Sequence, residues 1–226
     1  MHASAHAQMG RCIERYMDTG RHYRLLDFGS GTSPRQTLTH RELLDGYDCD
    51  YTGADVREGN NIDVVMKKPY RIPLKSNSFD IVLSGQVFEH VPFFWASLLE
   101  IARVMKPGAH FFMSVPSRGH VHSTYDCWRV YPDGLRSMAA WSRLTLKEAV
   151  TDFPPTVGDR TGDPSRVRHD YKAIDNRGHY WGDTVGVFQK PARYPSLRAA
   201  ALRVPVRLWA NRIGGLEGVP QPPGDN

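Results

Sequence analysis

Apolar and polar positions along this chain follow two rhythms. Short, largely apolar runs at 22–28, 51–56, 62–65, 79–84, 109–115, 144–153 and 183–189 have the length and the Gly, Pro or Ser boundaries of strands. Phe79-Asp80-Ile81-Val82-Leu83-Ser84 is nearly all apolar, as a strand covered on both faces must be. Between these runs the apolar residues return at helical spacing. Met9, Cys12, Ile13, Tyr16 and Met17 predict a helix over 8–20, stopped at Gly20, and Leu38, Leu43 and Leu44 predict one over 35–44. Phe94, Leu98, Ile101, Ala102 and Met105 predict a helix over 92–105, ended by Lys106-Pro107-Gly108, and Pro132 opens another over 132–141. Strand and helix alternating in this way predict an α/β fold, a doubly wound, mainly parallel sheet with helices on both faces. Such sheets bind ligands beyond the carboxyl ends of their strands, where the strand order reverses.

Composition narrows the setting. The chain has 226 residues, 40% hydrophobic and 23% charged, which suits one substantial core. The expected organisation is one domain over 1–191 and a tail over 192–226. No apolar run approaches the ~20 residues that span a bilayer, and Met1-His2-Ala3-Ser4-Ala5-His6 lacks the features of a secretory signal. Three widely spaced cysteines, Cys12, Cys49 and Cys127, argue against a disulfide framework and fit a reducing cytoplasm. The net charge of +5 is concentrated late in the chain, in Lys190, Arg193, Arg198, Arg203, Arg207 and Arg212, with no acid until Glu217. Leu197, Ala200, Ala201, Val204, Leu208 and Trp209 give that tail a basic amphipathic pattern, interrupted by Pro205. It fits packing on the domain, self-association as a homodimer, or peripheral contact with an anionic membrane.

The candidate chemistry begins where the first strand ends. Leu26-Asp27-Phe28-Gly29-Ser30-Gly31 is a strand running into a small-residue turn, which places backbone N–H groups around a ligand-sized gap. Asp27 precedes the glycines, where it would repel a pyrophosphate, and Pro34 stands at the third glycine position of a dinucleotide fingerprint. A carboxylate there suits a cationic or ammonium-bearing ligand. Asp55 ends the next strand, where an acid can accept both ribose hydroxyl hydrogens.

With these residues the chain resembles the class I S-adenosylmethionine-dependent methyltransferases. The other carriers are Ser78 to Ser84, Val87-Phe88-Glu89-His90-Val91, and Glu100-Ile101-Ala102-Arg103-Val104-Met105-Lys106-Pro107-Gly108. The resemblance spans about 22–116 and continues loosely to 190; Ser33 stands where that family often has a further glycine. It implies a Rossmann-like seven-stranded sheet with the last strand antiparallel, and S-adenosyl-L-methionine as cofactor. Gly29, Ser30 and Gly31 would line the methionine moiety, with Asp27 facing its amino group. Asp55 would hold the ribose, Val56 would pack on the adenine and Asp63 would accept the adenine amino hydrogens. Ser84 and Gln86 would lie under the methyl donor.

The acceptor side has two candidate stretches. On a helix, Gln86, Glu89 and His90 would share a face, and His120 and His122 follow the fifth strand. An imidazole titrates near neutrality, so His90, His120 and His122 are the candidate general bases. Small-RNA 2′-O-methyltransferases and ubiquinone-pathway O-methyltransferases have Glu-x-x-Glu-His at the first place. The likeness implies a Mg²⁺ site at Glu89, His90 and His122, weakened here because Gln86 replaces the first carboxylate. Tyr125-Asp126-Cys127-Trp128-Arg129-Val130-Tyr131-Pro132-Asp133-Gly134 interleaves aromatics with charge, which suits a hydroxylated, planar-faced ligand such as a saccharide, and resembles methyltransferases of polysaccharide and glycoside tailoring. The expected activity is methyl transfer to a hydroxyl of a sugar or other small polar metabolite. The alternatives are an RNA or quinone-type O-methyltransferase, or a non-catalytic S-adenosylmethionine-binding protein. Basic residues gathered in the tail rather than around the site speak against nucleic acid.

Overall fold

The computed structural model describes residues 3–32, 38–119, 121, 125–151 and 182–214. Seven strands form one sheet: β1 (Tyr23–Phe28), β2 (Cys49–Asp55), β3 (Val64–Val65), β4 (Phe79–Gly85), β5 (Met105–Arg118), β6 (Thr145–Thr151) and β7 (Gly182–Gln189). Their order is β3-β2-β1-β4-β5-β7-β6. Strands β1 to β5 run parallel, and β7 enters antiparallel between β5 and β6. This is the class I Rossmann-like methyltransferase architecture, with the strand order reversing between β1 and β4.

The period-two pattern of the strands divides the core. Leu25, Ile81, Leu83, Phe112, Val185 and Val187 face one side, where Met9, Cys12 and Ile13 of α1 (Ala3–Tyr16) cover them. Leu26, Val82, Phe111, Met113 and Phe188 face the other, under α2 (Phe94–Val104) and α3 (Pro132–Ser142). Leu25, Leu26, Val82 and Leu83 have no exposed surface. Each contributes on the order of 1.5–3 kcal/mol of burial, so the carboxyl ends of β1 and β4 rest on a rigid base.

Several elements differ from expectation. Helix α1 ends at Tyr16 rather than Gly20, because Asp18 makes a local turn, accepting the Gly20 N–H on its side chain while its own N–H bonds the Tyr23 hydroxyl. Over 35–44, the described part holds only a short 3-10 helix, Arg41–Leu44. The fifth strand begins at Met105, not after Gly108. Met105 pairs with Phe79, Lys106 bonds Asp80 at 2.6 Å, and buried Lys190 reaches the Met105 carbonyl at 2.7 Å. Those tertiary bonds make Lys106-Pro107-Gly108 an irregular strand segment. The tail forms α4 (Ser196–Ile213), one helix with Pro205 inside it, packed on α2.

Candidate functional site

The turn after β1 opens a small recess at the point where strand order reverses. Its lining includes Asp27, Gly29, Ser30, Gly31, His40 and Asn61, with Gly85 and Gln86 across from the turn. Gly29 has φ +79, and a Cβ there would sit 2.3 Å from a Val87 methyl carbon. At Gly31 a Cβ would meet the Asp55 carboxylate at 2.8 Å. Both positions thus demand glycine for conformation or for close approach. The enclosed volume is about 70 Å³, enough for a small polar end of a ligand and too small for a nucleoside.

Asp27 is buried and doubly held. It pairs with His40 Nδ1 at 2.9 Å and accepts the Tyr51 hydroxyl at 2.6 Å. Tyr51 in turn accepts an Asn61 amide N–H, and Asn61 also donates to the Ser30 carbonyl. The Tyr51 hydroxyl is pushed well above its ordinary value by burial and by the Asp27 charge, so it stays a donor. His40 Nε2 is buried without a hydrogen-bond partner among the described residues, and His40 belongs to the recess wall. His40, Tyr51 and Asn61 are site residues that sequence reasoning missed.

Asp55, at the end of β2, accepts the Gly31 N–H on Oδ2, and the Val56 and Arg57 N–H groups on Oδ1. Val56 is 47% exposed beside it. Asp63 accepts the Gly53 N–H at 2.7 Å and lies near Arg41, while half its side chain remains exposed. Ser84 does not face the recess. It is fully buried and donates to the Phe28 carbonyl, tying β4 to β1, and Gly85 and Gln86 hold the place expected for it.

Beyond β4 the expected helical face over Gln86, Glu89 and His90 does not form. Gln86 has φ +59, and its amide donates to Ser114 and Asp183. A 3-10 helix starts only at Phe88 and ends at His90. Glu89 is fully buried, no other side chain among the described residues hydrogen-bonds its carboxyl, and burial pushes its pKa up to about 8. His90 Nδ1 lies 2.5 Å from the Tyr125 carbonyl, which can only accept, so Nδ1 carries a proton and Nε2 is the basic nitrogen of the neutral ring. That Nε2 lies 3.5 Å from Glu89. His120 and His122 lie outside the described residues. Among the described residues no three His, Cys, Asp or Glu side chains converge to hold a metal, and the Glu89–His90 pair alone is an incomplete donor set. The thiol of Cys127 is raised by burial and by Asp126, the reverse of an activated nucleophile.

A second, larger cavity of about 630 Å³ lies between the N-terminal end of α2 and the length of α3. Phe94, Trp95, Trp128, Tyr131 and Trp141 supply aromatic walls, and Arg129, paired with Asp126, is among the polar members. Trp128 is fixed by donating to the Val91 carbonyl, and Trp141 by donating to the Trp95 carbonyl. The Cys127 N–H bonds the Glu89 carbonyl, so the chain leading into this cavity is tied to the Glu89–His90 turn.

Comparison with known proteins agrees with the strand order. Residues 26–113 match the family model described as a methyltransferase domain. The YcgJ protein from Bacillus subtilis superposes with a TM-score of 0.60 at 13% identity, covering 84% of this chain and 99% of that one. A 1,6-didemethyltoxoflavin-N1-methyltransferase from Burkholderia thailandensis, solved with S-adenosylhomocysteine, gives 0.54 at 14%, covering 83% and 79%. The fold is that of a class I methyltransferase. The same fold appears in the [4+2]-cyclase SpnF, with a TM-score of 0.56 at 15% identity, covering 81% of this chain and 80% of that one. No curated protein matches the chain.

In a class I methyltransferase fold, the residues present suit S-adenosylmethionine. The recess takes the size and charge of an amino-acid end, with Asp27 and the unpartnered His40 Nε2 in its wall. Asp55 and the open Val56 surface lie on the β2 side, where a nucleoside has room to spread.

Proposed function

We propose that this chain is an S-adenosylmethionine-dependent O-methyltransferase acting on a hydroxyl of a sugar or other small polar metabolite. The observation that carries the reading is the pair of carboxylates, Asp27 and Asp55, ending adjacent parallel strands on either side of the Gly29–Gly31 turn. Asp27 answers the positive charge of a methionine ammonium, and Asp55 can exchange its backbone donors for ribose hydroxyls. The cofactor, once bound, supplies a methyl group from a sulfonium.

A hydroxyl acceptor must lose its proton as the oxygen–carbon bond forms. His90 Nε2 is suited to take that proton, since Tyr125 holds the ring in the tautomer that leaves this nitrogen basic. Above about pH 8, where Glu89 is already ionised, its carboxylate 3.5 Å away stabilises the resulting imidazolium. The aromatic cavity supports a saccharide acceptor, because flat indole and phenol faces cover the C–H faces of a sugar ring while Arg129 and Asp133 offer polar edges. A cytoplasmic location fits the three free cysteines.

The test is turnover of mono- and oligosaccharides and other hydroxylated metabolites, with and without divalent metal, read as S-adenosylhomocysteine release. A hydroxylated acceptor turned over equally in chelator is the expected result. Transfer only to nitrogen or carbon, or to RNA, would replace the O-methyl reading. Loss of turnover in chelator, restored by Mg²⁺, would support the metal reading, with Glu89, His90 and His122 as its expected ligands.

A further inference from the structure

Helix α4 is built inside out. A surface helix ordinarily buries an apolar stripe and shows its charges. In α4 the side chains turned toward α2 include Arg203 and Arg207, which lie 3.5 and 3.6 Å from the fully buried Glu100 carboxylate. Glu100 is also bridged by Arg103 at 2.7 Å and accepts the Ile72 N–H. The apolar side chains that share this inner face are few: Ala199 and Ala210 are buried, and Val206 packs beside Ala210 against Tyr70 and Ala96.

Most of the large apolar side chains of α4 are left exposed. Leu197, Leu202, Val204, Leu208, Trp209 and Ile213 are exposed by 88, 37, 39, 61, 50 and 41%. At 100° per residue, Leu197, Val204 and Leu208 form one ridge and Leu202, Trp209 and Ile213 a second, with Arg212 exposed between them. Apolar side chains gathered on one exposed element mark a contact surface rather than scattered surface leucines. Charge identifies the contact. The chain from 191 to 213 contains no Asp or Glu. Lys67, Lys68 and Arg71 are exposed on the loop whose Tyr70 N–H bonds Asn211, adding positive charge at the far end of the helix. Trp209 also rests against Phe93, ring centroids 5.0 Å apart, and so presents a rigid amphipathic ring.

We propose that the outer face of α4 docks on an anionic lipid surface. Its leucines, isoleucine and tryptophan enter the boundary between headgroups and acyl chains, and Arg212, Lys67, Lys68 and Arg71 meet lipid phosphates. A second copy fits poorly, since a two-fold contact through this face would bring its cations together while 191–213 offers no acid to pair them. No helix among the described residues is long and apolar enough to cross a membrane, so α4 lies on the surface. The docking stands whether or not the chain transfers a methyl group.

The experiment is flotation of the full chain with vesicles of phosphatidylcholine alone or with about 30% phosphatidylglycerol. The chain should float with the anionic vesicles, at least tenfold less with neutral ones, and less as salt rises from about 0.1 to 0.5 M. The double variant Leu197→Glu with Leu208→Glu touches neither Glu100 nor the cofactor recess. It should retain helicity and cofactor binding and lose vesicle binding at least tenfold; Arg212→Glu should weaken binding to anionic vesicles only. A wild-type chain that stays in the soluble fraction, or a double variant that floats as well as wild type, overturns the proposal. So does a concentration-dependent dimer, dispersed by the double variant, in a chain that ignores vesicles.

Discussion

Glu89→Gln isolates the energetic consequence of the buried acid beside His90. Glu89 has no exposed surface, and among the described residues no other side chain hydrogen-bonds its carboxyl. Burial raises its pKa from 4.5 to about 8; its own backbone N–H and Arg129 oppose the rise, and Asp126 and Asp183 add to it. The folded value lies above the unfolded one, so the stability that the neutral acid confers is fully present below pH ~4.5 and is lost as pH climbs through 8. At ~1.4 kcal/mol per unit, a rise from 4.5 to about 8 amounts to on the order of 5 kcal/mol. Glutamine keeps the shape and cannot ionise. Urea unfolding of both proteins from pH 4 to 9 measures the difference, in which the other titrating groups cancel. The variant should gain on wild type by up to ~1.4 kcal/mol per pH unit between about 4.5 and 8, then hold level. Any fixed cost of burying an amide shifts this curve without changing its slope. Parallel stabilities across the range would refute a raised Glu89 pKa.

Three further substitutions probe the site. Gly29→Ala forces a side chain into φ +79 against Val87 and should cost about 2–4 kcal/mol in unfolding free energy; a loss within experimental error would mean that the turn relaxes freely. His40→Phe removes both the recess nitrogen and the Nδ1 that holds Asp27, and should weaken S-adenosylmethionine binding about tenfold or more by calorimetry, whereas unchanged affinity would exclude His40 from the cofactor site. His90→Ala should lower kcat by roughly 10²–10⁴ while cofactor affinity holds; wild-type turnover would move the base elsewhere.

The strands were legible because burial on both faces writes itself as apolar runs, and β1, β2 and β4 lie close to the runs that predict them. Asp27, Gly29, Gly31 and Asp55 were legible because a strand-end acid and a glycine turn are local signals. What escaped prediction depends on partners far along the chain. Met105 to Gly108 is strand because Asp80 and Lys190 hold it there. His40 enters the site through Asp27, and nothing in Thr39-His40-Arg41 announces that contact. Ser84 was misplaced because strand-end position alone does not tell which way a hydroxyl turns, and the Phe28 carbonyl claims it. The amphipathic tail was recognised, but its orientation was not. Only Glu100, about a hundred residues earlier, explains why its arginines face inward.

Calorimetric titration of S-adenosylmethionine into the wild-type chain and into Asp55→Ala tests the central claim most directly. The account predicts one site per chain in the wild type. It also predicts an affinity loss of at least about a hundredfold in the variant, the effect of two hydrogen bonds to a carboxylate at ~1.5–3 kcal/mol each. No heat of binding in a folded wild-type chain, or equal affinity in the two proteins, would contradict it.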